Sequence, residues 1–205
     1  MIVQDLKYPF DHTIVYDVFN NDQVSSIIDE ANIIASTYSS KELLIDNDKH
    51  HHKLLNDSKS LTFELISTKF GSGVIRKNAL AAMQLYFANV IKKNAVTKFF
   101  NTTNGENTFL TLYKNGSSYY KHNDLSIITA AYIIDPIFEK GVTGGKMYFA
   151  EYDYMPHMQH NSCIIFPGHE LHELTELKCS ESYYKISITQ FFYIDGHITK
   201  DTKHE

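Results

Sequence analysis

Apolar residues recur at helical spacing in two segments of the N-terminal half. In residues 21–36 and 78–95 they return every three or four positions, which predicts two amphipathic helices. Asn20 or Asn21 is a suitable N-cap for the first helix, and Asn78 for the second. The predicted buried faces consist of Val24, Ile27, Ile28, Ala31 and Ile34 in the first helix and Leu80, Met83, Phe87, Val90 and Ile91 in the second.

The pattern changes to β-strands from about residue 107. Five β-branched and aromatic runs, separated by Gly, Pro, Asn or Asp, predict short strands. They occupy residues 108–114, 126–134, 146–150, 162–166 and 183–193, and a further strand is predicted at 13–19. The polar residues 41–62 predict a loop with a short helix. Helices before strands favour an α+β or mainly β fold, with the helices on one side of a β sandwich or barrel.

Length and composition are typical of one globular domain. The chain has 205 residues, and its 43% of hydrophobic residues is enough for a substantial core. We interpret it as a single domain, 1–205. This domain comprises a helical support region at 1–106, a β core at 107–193 and a C-terminal tail at 194–205.

The charge balance restricts the partners of the protein. A net charge of −5 and a pI of about 6.1 argue against a protein held on nucleic acid or a membrane surface by bulk charge. Arg76 is the only arginine among 19 basic residues. A bidentate guanidinium clamp would therefore need Arg76, and any other anion site must use lysine or histidine.

Cysteine usage and the N-terminal sequence predict a soluble cytoplasmic protein. Cys163 and Cys179 form no CxxC motif and are too few for a disulfide framework, which is typical of a reducing compartment. We expect Cys163 to serve packing. The N-terminus lacks the apolar region of a signal peptide, and no apolar run approaches the roughly 20 residues of a spanning helix.

Two histidines and one aspartate of the β half have the spacing of metal ligands. His122 and Asp124 form the only His-x-Asp or His-x-Glu in the sequence, and residues i and i+2 of an extended segment point to the same side. About 50 residues later, His169 and His172 follow the predicted strand 162–166 and a Pro-Gly turn. Either histidine could complete a 2-His-1-carboxylate triad, which holds Fe(II) on one face and leaves three positions open.

Lys185 is a candidate for binding an anion. Along the last predicted strand, Ile186 and Ile188 would face one side, and Lys185, Ser187 and Thr189 the other. A cation that points into a closed barrel is costly unless it meets an anion. A dicarboxylate co-substrate would supply that anion.

Taken together and in this order, these residues resemble the signature of the Fe(II)/2-oxoglutarate-dependent dioxygenases, and more narrowly that of the prolyl 4-hydroxylase-like branch. The similar stretches run from Tyr113 to Asp124, Thr129 to Pro136, Gly144 to Met147 and Phe166 to Leu174. The first contains a Tyr-x-x-His-x-Asp segment, and the last contains Phe-Pro followed by His-Glu. The resemblance covers about residues 107–193, with a weaker similarity at 13–28.

The resemblance implies a double-stranded β-helix core, also called a jelly roll or cupin-like fold, flanked by N-terminal helices. It implies Fe(II) held by His122, Asp124 and His172. His172 is favoured over His169 because Glu-Leu follows it, as Glu-Val follows the family's second histidine. His169 is then a turn residue at the mouth. The implied co-substrates are 2-oxoglutarate and O2, and a role for ascorbate stays open.

The resemblance also implies contacts to the co-substrate. Lys185 would bind the distal (C5) carboxylate of 2-oxoglutarate. Tyr132 could donate its hydroxyl to the same carboxylate, and Thr189 or Thr129 could assist. Tyr113 would touch the co-substrate or line the substrate mouth. Arg76, the rival guanidinium, lies outside the predicted β core.

The chain departs from the family pattern in three places. Lys185 follows His172 by 13 positions, rather than by nine or ten, which predicts a longer turn at 178–183. Asn161 stands where a glycine is usual, and the usual downstream tryptophan is missing. These differences bear on the substrate more than on the fold.

The implied activity is hydroxylation of an unactivated C–H, coupled to decarboxylation of 2-oxoglutarate to succinate. A peptidyl proline is the first candidate substrate, while other peptide residues and free small molecules stay open. Neither nucleic acid nor a membrane is expected as a partner, and the sequence predicts no particular oligomeric state. Residues 37–77 and 135–142 flank the expected mouth and are candidate lids.

Two alternatives remain from the sequence. One is a cupin-like metal-dependent enzyme that does not use 2-oxoglutarate, and the other is a non-catalytic jelly-roll binding module. The complete set of candidate ligands weighs against the second alternative. The other histidines have ordinary interpretations: His50–His52 predict a solvated loop, and His157 and His160 predict exposed positions.

Overall fold

The computed structural model describes residues 1–37, 60–65, 73–90, 95–137 and 139–194. The helices are α1 (Asn21–Thr37), α2 (Val74–Val90) and α3 (Ala95–Phe100), and a 3-10 turn lies at Ala150–Tyr152. The strands are β1 (Ile2–Leu6), β2 (His12–Tyr16), β3 (Leu61–Glu64), β4 (Gly105–Tyr113), β5 (Tyr119–His122), β6 (Ile128–Ile134), β7 (Met147–Tyr148), β8 (Ser162–Pro167), β9 (His172–Leu174) and β10 (Lys185–Tyr193). Most of the predicted loop at 41–62, His50–His52, much of the candidate lid at 37–77 and the tail from 195 lie outside the described residues. No helix in the described ranges is both long and apolar enough to cross a membrane.

The strands form a large and a small antiparallel sheet. The large sheet has the order β1-β2-β8-β6-β10-β4-β3, and the small sheet has the order β5-β9-β7. Neighbours in the large sheet come from distant parts of the chain, since β10 pairs with β4 and β6, and β8 pairs with β2 and β6. This order of crossing antiparallel strands is that of a jelly roll, so the predicted fold class is confirmed.

The helices cover one face of the large sheet. Ile27 of α1 and Met83 of α2 belong to the same buried cluster as Ile186 and Ile188 of β10. Because side chains alternate along a strand, the residues between these two isoleucines face the other side of the sheet. The large sheet therefore has a helix-covered outer face and an inner face, as the sequence predicts.

The first helix begins where the sequence predicts, and the second begins four residues earlier. The Asn20 side chain accepts the Gln23 N–H, and the Gln23 side chain accepts the Asn20 N–H, which makes a reciprocal cap for α1. The prediction of Asn78 as the cap of α2 is wrong, because Asn78 lies inside that helix. The buried Glu30 carboxylate of α1 instead accepts backbone N–H groups at the start of α2.

Four strands of the structure are missing from the prediction. β1, β3, β5 and β9 contain three to five residues each, and β3 lies at the end of the predicted loop. β1, β3 and β5 are also edge strands. Their pairing with a neighbour rather than their own apolar pattern fixes their conformation, so periodicity alone does not reveal them.

Candidate metal centre and cavity

The two candidate histidine ligands lie side by side in the small sheet. His122 ends β5 and His172 begins β9, and the two residues are cross-strand partners. Asp124 follows His122 in the turn that leads to β6. The ligand atoms of the three side chains all lie within 4.8 Å of one another. The structure thus brings together the three residues that the sequence selects as metal ligands.

Backbone carbonyls fix the orientation of both imidazoles. His122 Nδ1 lies 2.7 Å from the Tyr120 carbonyl oxygen, and His172 Nδ1 lies 2.8 Å from the Glu170 carbonyl oxygen. Since a carbonyl only accepts a hydrogen bond, each Nδ1 carries a proton, and each Nε2 is left to face the site. The Nε2 atoms of His122 and His172 lie 3.3 and 3.7 Å from the Asp124 carboxylate oxygens.

Burial favours the protonation state that a metal requires. His172 is buried, and desolvation lowers the pKa of its imidazole, so that the ring is neutral near pH 7. Asp124 is 4% exposed. Its Oδ2 accepts a hydrogen bond of 2.5 Å from the Thr129 hydroxyl. Two inward-facing Nε2 atoms and one oriented carboxylate on a shared side match the facial arrangement that binds Fe(II).

Direct contacts fasten together the two loops that carry the ligands. The Asp124 N–H donates to the Gly168 carbonyl at 2.8 Å, and the Asn123 side-chain amide donates to the His169 carbonyl. Gly168 also lies so close to Ser126 that an added Cβ would be 2.3 Å from the Ser126 carbonyl oxygen. These contacts hold the His-x-Asp turn against the turn before β9, so the site is organised by the polypeptide itself.

His169 does not belong to the ligand cluster. Its side chain is 80% exposed, and its Nε2 lies 3.5 Å from the Glu170 carboxylate. Of the two histidines that the spacing leaves open, His172 faces Asp124, while His169 lies on the surface of the turn.

A cavity of about 460 Å³ lies between the inner face of the large sheet and the small sheet. Its walls include the three candidate ligands and the inward-facing residues of β4, β6 and β10. On β10 these residues are Lys185, Ser187, Thr189, Phe191 and Tyr193, in strict alternation. The same cavity therefore contains the candidate metal ligands and the predicted anion-binding lysine.

Lys185 lies at one end of this cavity in a largely buried position. Its Nζ donates to the Gly145 carbonyl oxygen at 3.2 Å and lies 3.9 Å from a carboxylate oxygen of Asp135. Its side chain is 12% exposed. An ammonium group in this position can meet an anion in the cavity, as the sequence predicts for Lys185.

The other predicted co-substrate contacts divide between the cavity and the core. Tyr113 and Thr189 line the cavity, and burial raises the pKa of Tyr113 above its usual value, so its hydroxyl stays protonated. Thr129 also lines the cavity, but its hydroxyl is engaged by Asp124. The structure brings Tyr113, Thr129 and Thr189 to the cavity that contains Lys185.

The prediction that Tyr132 contacts the co-substrate is wrong. Tyr132 pairs with Ile188 across β6 and β10, and cross-strand partners point to the same face of a sheet. Its hydroxyl donates toward Gln190 Oε1 at 2.9 Å and the Ala79 carbonyl oxygen at 3.1 Å, inside the helix-covered core. Because Lys185 faces the inner side of the sheet, Tyr132 lies on the wrong side to share its ligand.

Arg76 is occupied outside the cavity. It lies on α2, and its guanidinium binds one carboxylate oxygen of Glu106 through Nη2 at 2.6 Å and Nε at 3.1 Å. The sole arginine therefore belongs to the junction between α2 and β4 and does not contribute to the part of the cavity near Lys185.

Sequence reasoning missed Asp135 and the contact between Thr129 and Asp124, although it named Thr129 as a candidate co-substrate contact. Asp135 faces Lys185, and Thr129 binds the Asp124 carboxylate rather than a co-substrate. The alternation of β6 places residues 129, 131 and 133 on one face, which agrees with the inward position of Thr129. Asp135 follows the end of β6, where alternation gives no information.

Solved structures with this fold include several prolyl hydroxylases. A Pseudomonas putida prolyl-4-hydroxylase has a TM-score of 0.64 and 14% sequence identity, over 90% of this chain and 93% of that one. A Trichoplax adhaerens prolyl hydroxylase, in complex with a peptide fragment of hypoxia inducible factor, has a TM-score of 0.64 and 13% identity, over 89% and 83% of the two chains. The viral collagen prolyl hydroxylase of Paramecium bursaria Chlorella virus-1, in its 2-oxoglutarate complex, has a TM-score of 0.58 and 13% identity, over 90% and 96%.

These likenesses define the class of fold. The chain has the double-stranded β-helix fold of the 2-oxoglutarate-dependent oxygenases, in the form found in prolyl hydroxylases. No protein-family model matches the sequence. No curated protein matches it significantly either. At 14% identity or less the likeness is one of structure, and it confirms the fold that the sequence motifs imply.

Proposed function

We propose that the protein is an Fe(II)- and 2-oxoglutarate-dependent dioxygenase that hydroxylates an unactivated C–H of its substrate. The observation that carries this proposal is that His122, Asp124, His172 and Lys185 line one cavity. A cupin-like metal enzyme without 2-oxoglutarate would need the three ligands but would have no use for a buried lysine at a distance from them.

His122, Asp124 and His172 would hold the metal. The chemistry supplied there by Fe(II), 2-oxoglutarate and O2 is oxidation of a C–H to an alcohol, with conversion of 2-oxoglutarate to succinate and CO2. The chain contributes the orientation of the ligands: the carbonyls of Tyr120 and Glu170 direct each Nε2 toward the site, and Thr129 holds the carboxylate.

Lys185 would bind the distal carboxylate of 2-oxoglutarate. An ammonium has three N–H donors, of which one is directed at the Gly145 carbonyl and one faces Asp135. A third donor is available to a ligand in the cavity. Tyr113 and Thr189, on neighbouring strands of the same inner face, could donate hydroxyl hydrogen bonds to the bound co-substrate.

The opposite end of the cavity would receive the substrate. Thr129, which holds Asp124, pairs with Phe191, and Lys185 lies six residues before Phe191 along β10. Among the described residues, the cavity wall at the Phe191 end consists of Asn107, Phe109, Leu125, Phe191 and Tyr193, none of which is charged. The rings of Phe109 and Phe191 pack edge to face, with 5.4 Å between their centroids. The Tyr193 hydroxyl donates a hydrogen bond to Asn107 Oδ1.

An uncharged wall favours a residue within a peptide over a free amino acid as the substrate. The ammonium and carboxylate of a free amino acid would lose water there without gaining charged partners, whereas a peptide segment carries neither charge. A peptidyl proline is the first candidate, and the Trichoplax structure shows a peptide bound to a prolyl hydroxylase of the same fold. We also propose a reducing compartment such as the cytoplasm, because Cys163 and Cys179 are both free thiols.

A substrate panel tests the proposed function. Purified protein with Fe(II) and O2 is incubated with proline-containing peptides, other peptides and free amino acids, and 2-oxoglutarate consumption and product mass are measured. We expect succinate formation and a mass increase of about 16 in a peptide. Iron binding without 2-oxoglutarate consumption would favour the cupin-like alternative, and binding of peptides without any turnover would favour a non-catalytic module.

Two variants separate the roles of the metal ligands and the lysine. His122→Ala should abolish metal binding and succinate formation together, because it removes one of three ligands. Lys185→Ala should weaken 2-oxoglutarate binding by at least tenfold, since a charge-assisted hydrogen bond is lost, while metal affinity stays unchanged. Ser187→Ala, on the same inner face of β10, is the matched control. Equal effects of Lys185→Ala and Ser187→Ala would contradict the assignment.

A further inference from the structure

Among the described residues of the cavity wall, Asp135 is the one acidic residue whose side chain faces Lys185. Its Oδ1 lies 3.9 Å from Lys185 Nζ, at a distance where two opposite charges attract each other without full hydrogen-bonding contact. Both side chains are partly withdrawn from water, with 26% exposure for Asp135 and 12% for Lys185. Solvent therefore screens this pair less than it would screen a surface pair.

Tyr183 holds the Asp135 carboxylate in place. Its hydroxyl donates a hydrogen bond of 2.9 Å to the same Oδ1 that faces Lys185. Tyr183 is 4% exposed, and burial together with the negative charge of Asp135 raises the pKa of its hydroxyl, which keeps the donor protonated. The carboxylate is thus a fixed part of the cavity wall rather than a mobile surface group.

A carboxylate bound by Lys185 would share one ammonium with Asp135. Before the ligand binds, the charges of Lys185 and Asp135 cancel. When the distal carboxylate of a ligand approaches Lys185, the group acquires a net negative charge, because two carboxylates then face one ammonium. Lys146 is the other basic residue in the described cavity wall, and it lies next to Gly145 at an exposed position.

We propose that Asp135 is an affinity-setting residue of the co-substrate site, which weakens the binding of a ligand with a distal carboxylate by partly neutralising Lys185. This inference rests on the proposed function, because it takes 2-oxoglutarate as the ligand of Lys185. As a consequence, the fraction of enzyme that has 2-oxoglutarate bound responds to the 2-oxoglutarate concentration. Succinate, which also has two carboxylates, is released readily for the same reason.

Replacement of Asp135 by its neutral isostere tests the inference. The dissociation constant of 2-oxoglutarate is measured by calorimetry on manganese(II)-loaded protein without substrate, for the wild type and for Asp135→Asn. We expect about tenfold tighter binding in the variant, because one like charge at close range is removed. A second ligand, 2-oxovalerate, has the same 2-oxo acid group without the distal carboxylate, and its affinity should not change.

Glu139→Gln is the matched control. It makes the same change of charge on the same segment after β6, but Glu139 binds Ser180 instead of facing Lys185. The inference would be overturned if Asp135→Asn bound 2-oxoglutarate no more tightly than the wild type. It would also be overturned if the affinity of Asp135→Asn for 2-oxovalerate, or that of Glu139→Gln for 2-oxoglutarate, rose by the same factor. The proposed function would still stand in each of these cases. A wild-type protein that binds metal but no 2-oxoglutarate would instead refute the proposed function.

Discussion

Single hydrogen bonds determine which atoms face the candidate metal site. The two imidazoles direct Nε2 inward because their Nδ1 protons are held by the carbonyls of Tyr120 and Glu170, two residues before each histidine. The aspartate has no such local partner and relies on Thr129, five residues later and on a different element. The carboxylate is therefore the ligand whose orientation depends most on one other side chain.

Thr129→Val is expected to weaken metal binding about 10- to 100-fold, because loss of an outer hydrogen bond to a ligand typically has this effect. Valine keeps the shape of threonine, so the fold should be retained. Metal affinity would be measured by competition with a chelator. Thr62→Val is the control, since the Thr62 hydroxyl lines the same cavity but bonds Thr111 rather than a metal ligand. Equal affinities in the two variants would contradict the role of Thr129.

At the scale of elements, the strand alternation explains which site predictions succeed. The alternation of their own strand predicts that Lys185 and Thr189 lie on the inner face, and the structure places both there. The prediction for Tyr132 rests on a family motif alone, whereas its pairing with Ile188 directs its side chain into the core. Asp135 could not be predicted, since it faces Lys185 only after β6 has ended and the chain has turned.

Gly168→Ala is expected to disturb the contact between the two ligand-bearing turns. The added methyl group would meet Ser126, whose hydroxyl bonds Thr129, the partner of Asp124. We expect at least tenfold weaker metal binding, measured by chelator competition, with a loss of about 1–3 kcal/mol in unfolding free energy.

Gly141→Ala is the control for a general glycine effect. Gly141 has a φ of +92° and open space around its Cβ position, so alanine there should lower the unfolding free energy through backbone strain alone. Metal affinity should stay at the wild-type value. A Gly168→Ala protein with normal metal affinity would show that the two turns are held by other contacts.

Arg76→Met is expected to destabilise the junction between α2 and β4. The variant leaves the Glu106 carboxylate, which is 11% exposed, without its charged partner. We expect a loss of about 1–3 kcal/mol in unfolding free energy, less than for a fully buried pair because Arg76 is 32% exposed. Urea unfolding measures this loss. Lys77→Met, an exposed neighbour on the same helix, should change the unfolding free energy little; equal losses would contradict the contribution of this ion pair.

For the whole molecule, the sequence predicts which helices and strands form better than it predicts where they begin and end. The described parts of the helical faces and the long strands β4, β6, β8 and β10 are correct because each buries a continuous apolar pattern, while Ile91 of the second predicted face lies outside the described residues. The predicted start of α2 is wrong, because its cap is Glu30, which lies 43 residues before Gly73. Contacts between distant residues of this kind leave no mark in local periodicity.

The metal-free protein is expected to lose stability in mild acid. His12 is fully buried between the Phe10 carbonyl and the Tyr154 hydroxyl, and desolvation lowers its pKa below 6.5. The unfolded chain therefore takes up the proton first as the pH falls. The stabilisation that neutral, buried His12 contributes is fully present above about pH 6.5. It is lost as the pH falls from there through the lowered pKa of the folded protein, by at most about 1.4 kcal/mol per pH unit for one proton.

Urea unfolding between pH 7.5 and pH 5 measures this dependence. His12→Asn, which removes the titrating group, should show a shallower decline than the wild type, with the remainder arising from His172, whose pKa is also lowered. His157→Asn changes an exposed histidine and should keep the wild-type slope. An identical pH dependence for His12→Asn and the wild type would exclude His12 as a source of acid sensitivity.

The pairing of His122 with His172 has a consequence for the topology of the chain. About 50 residues separate these two positions, and the short strands β5 and β9 that carry them meet at only two residue pairs, with an irregularity between them. A metal bound to both side chains is a cross-link that closes this long loop, much as a disulfide would. Removal of the metal then breaks this cross-link. Addition of metal should therefore raise the midpoint temperature of unfolding in a concentration-dependent way, and the small sheet should be the first part of the protein whose amides gain protection from hydrogen exchange.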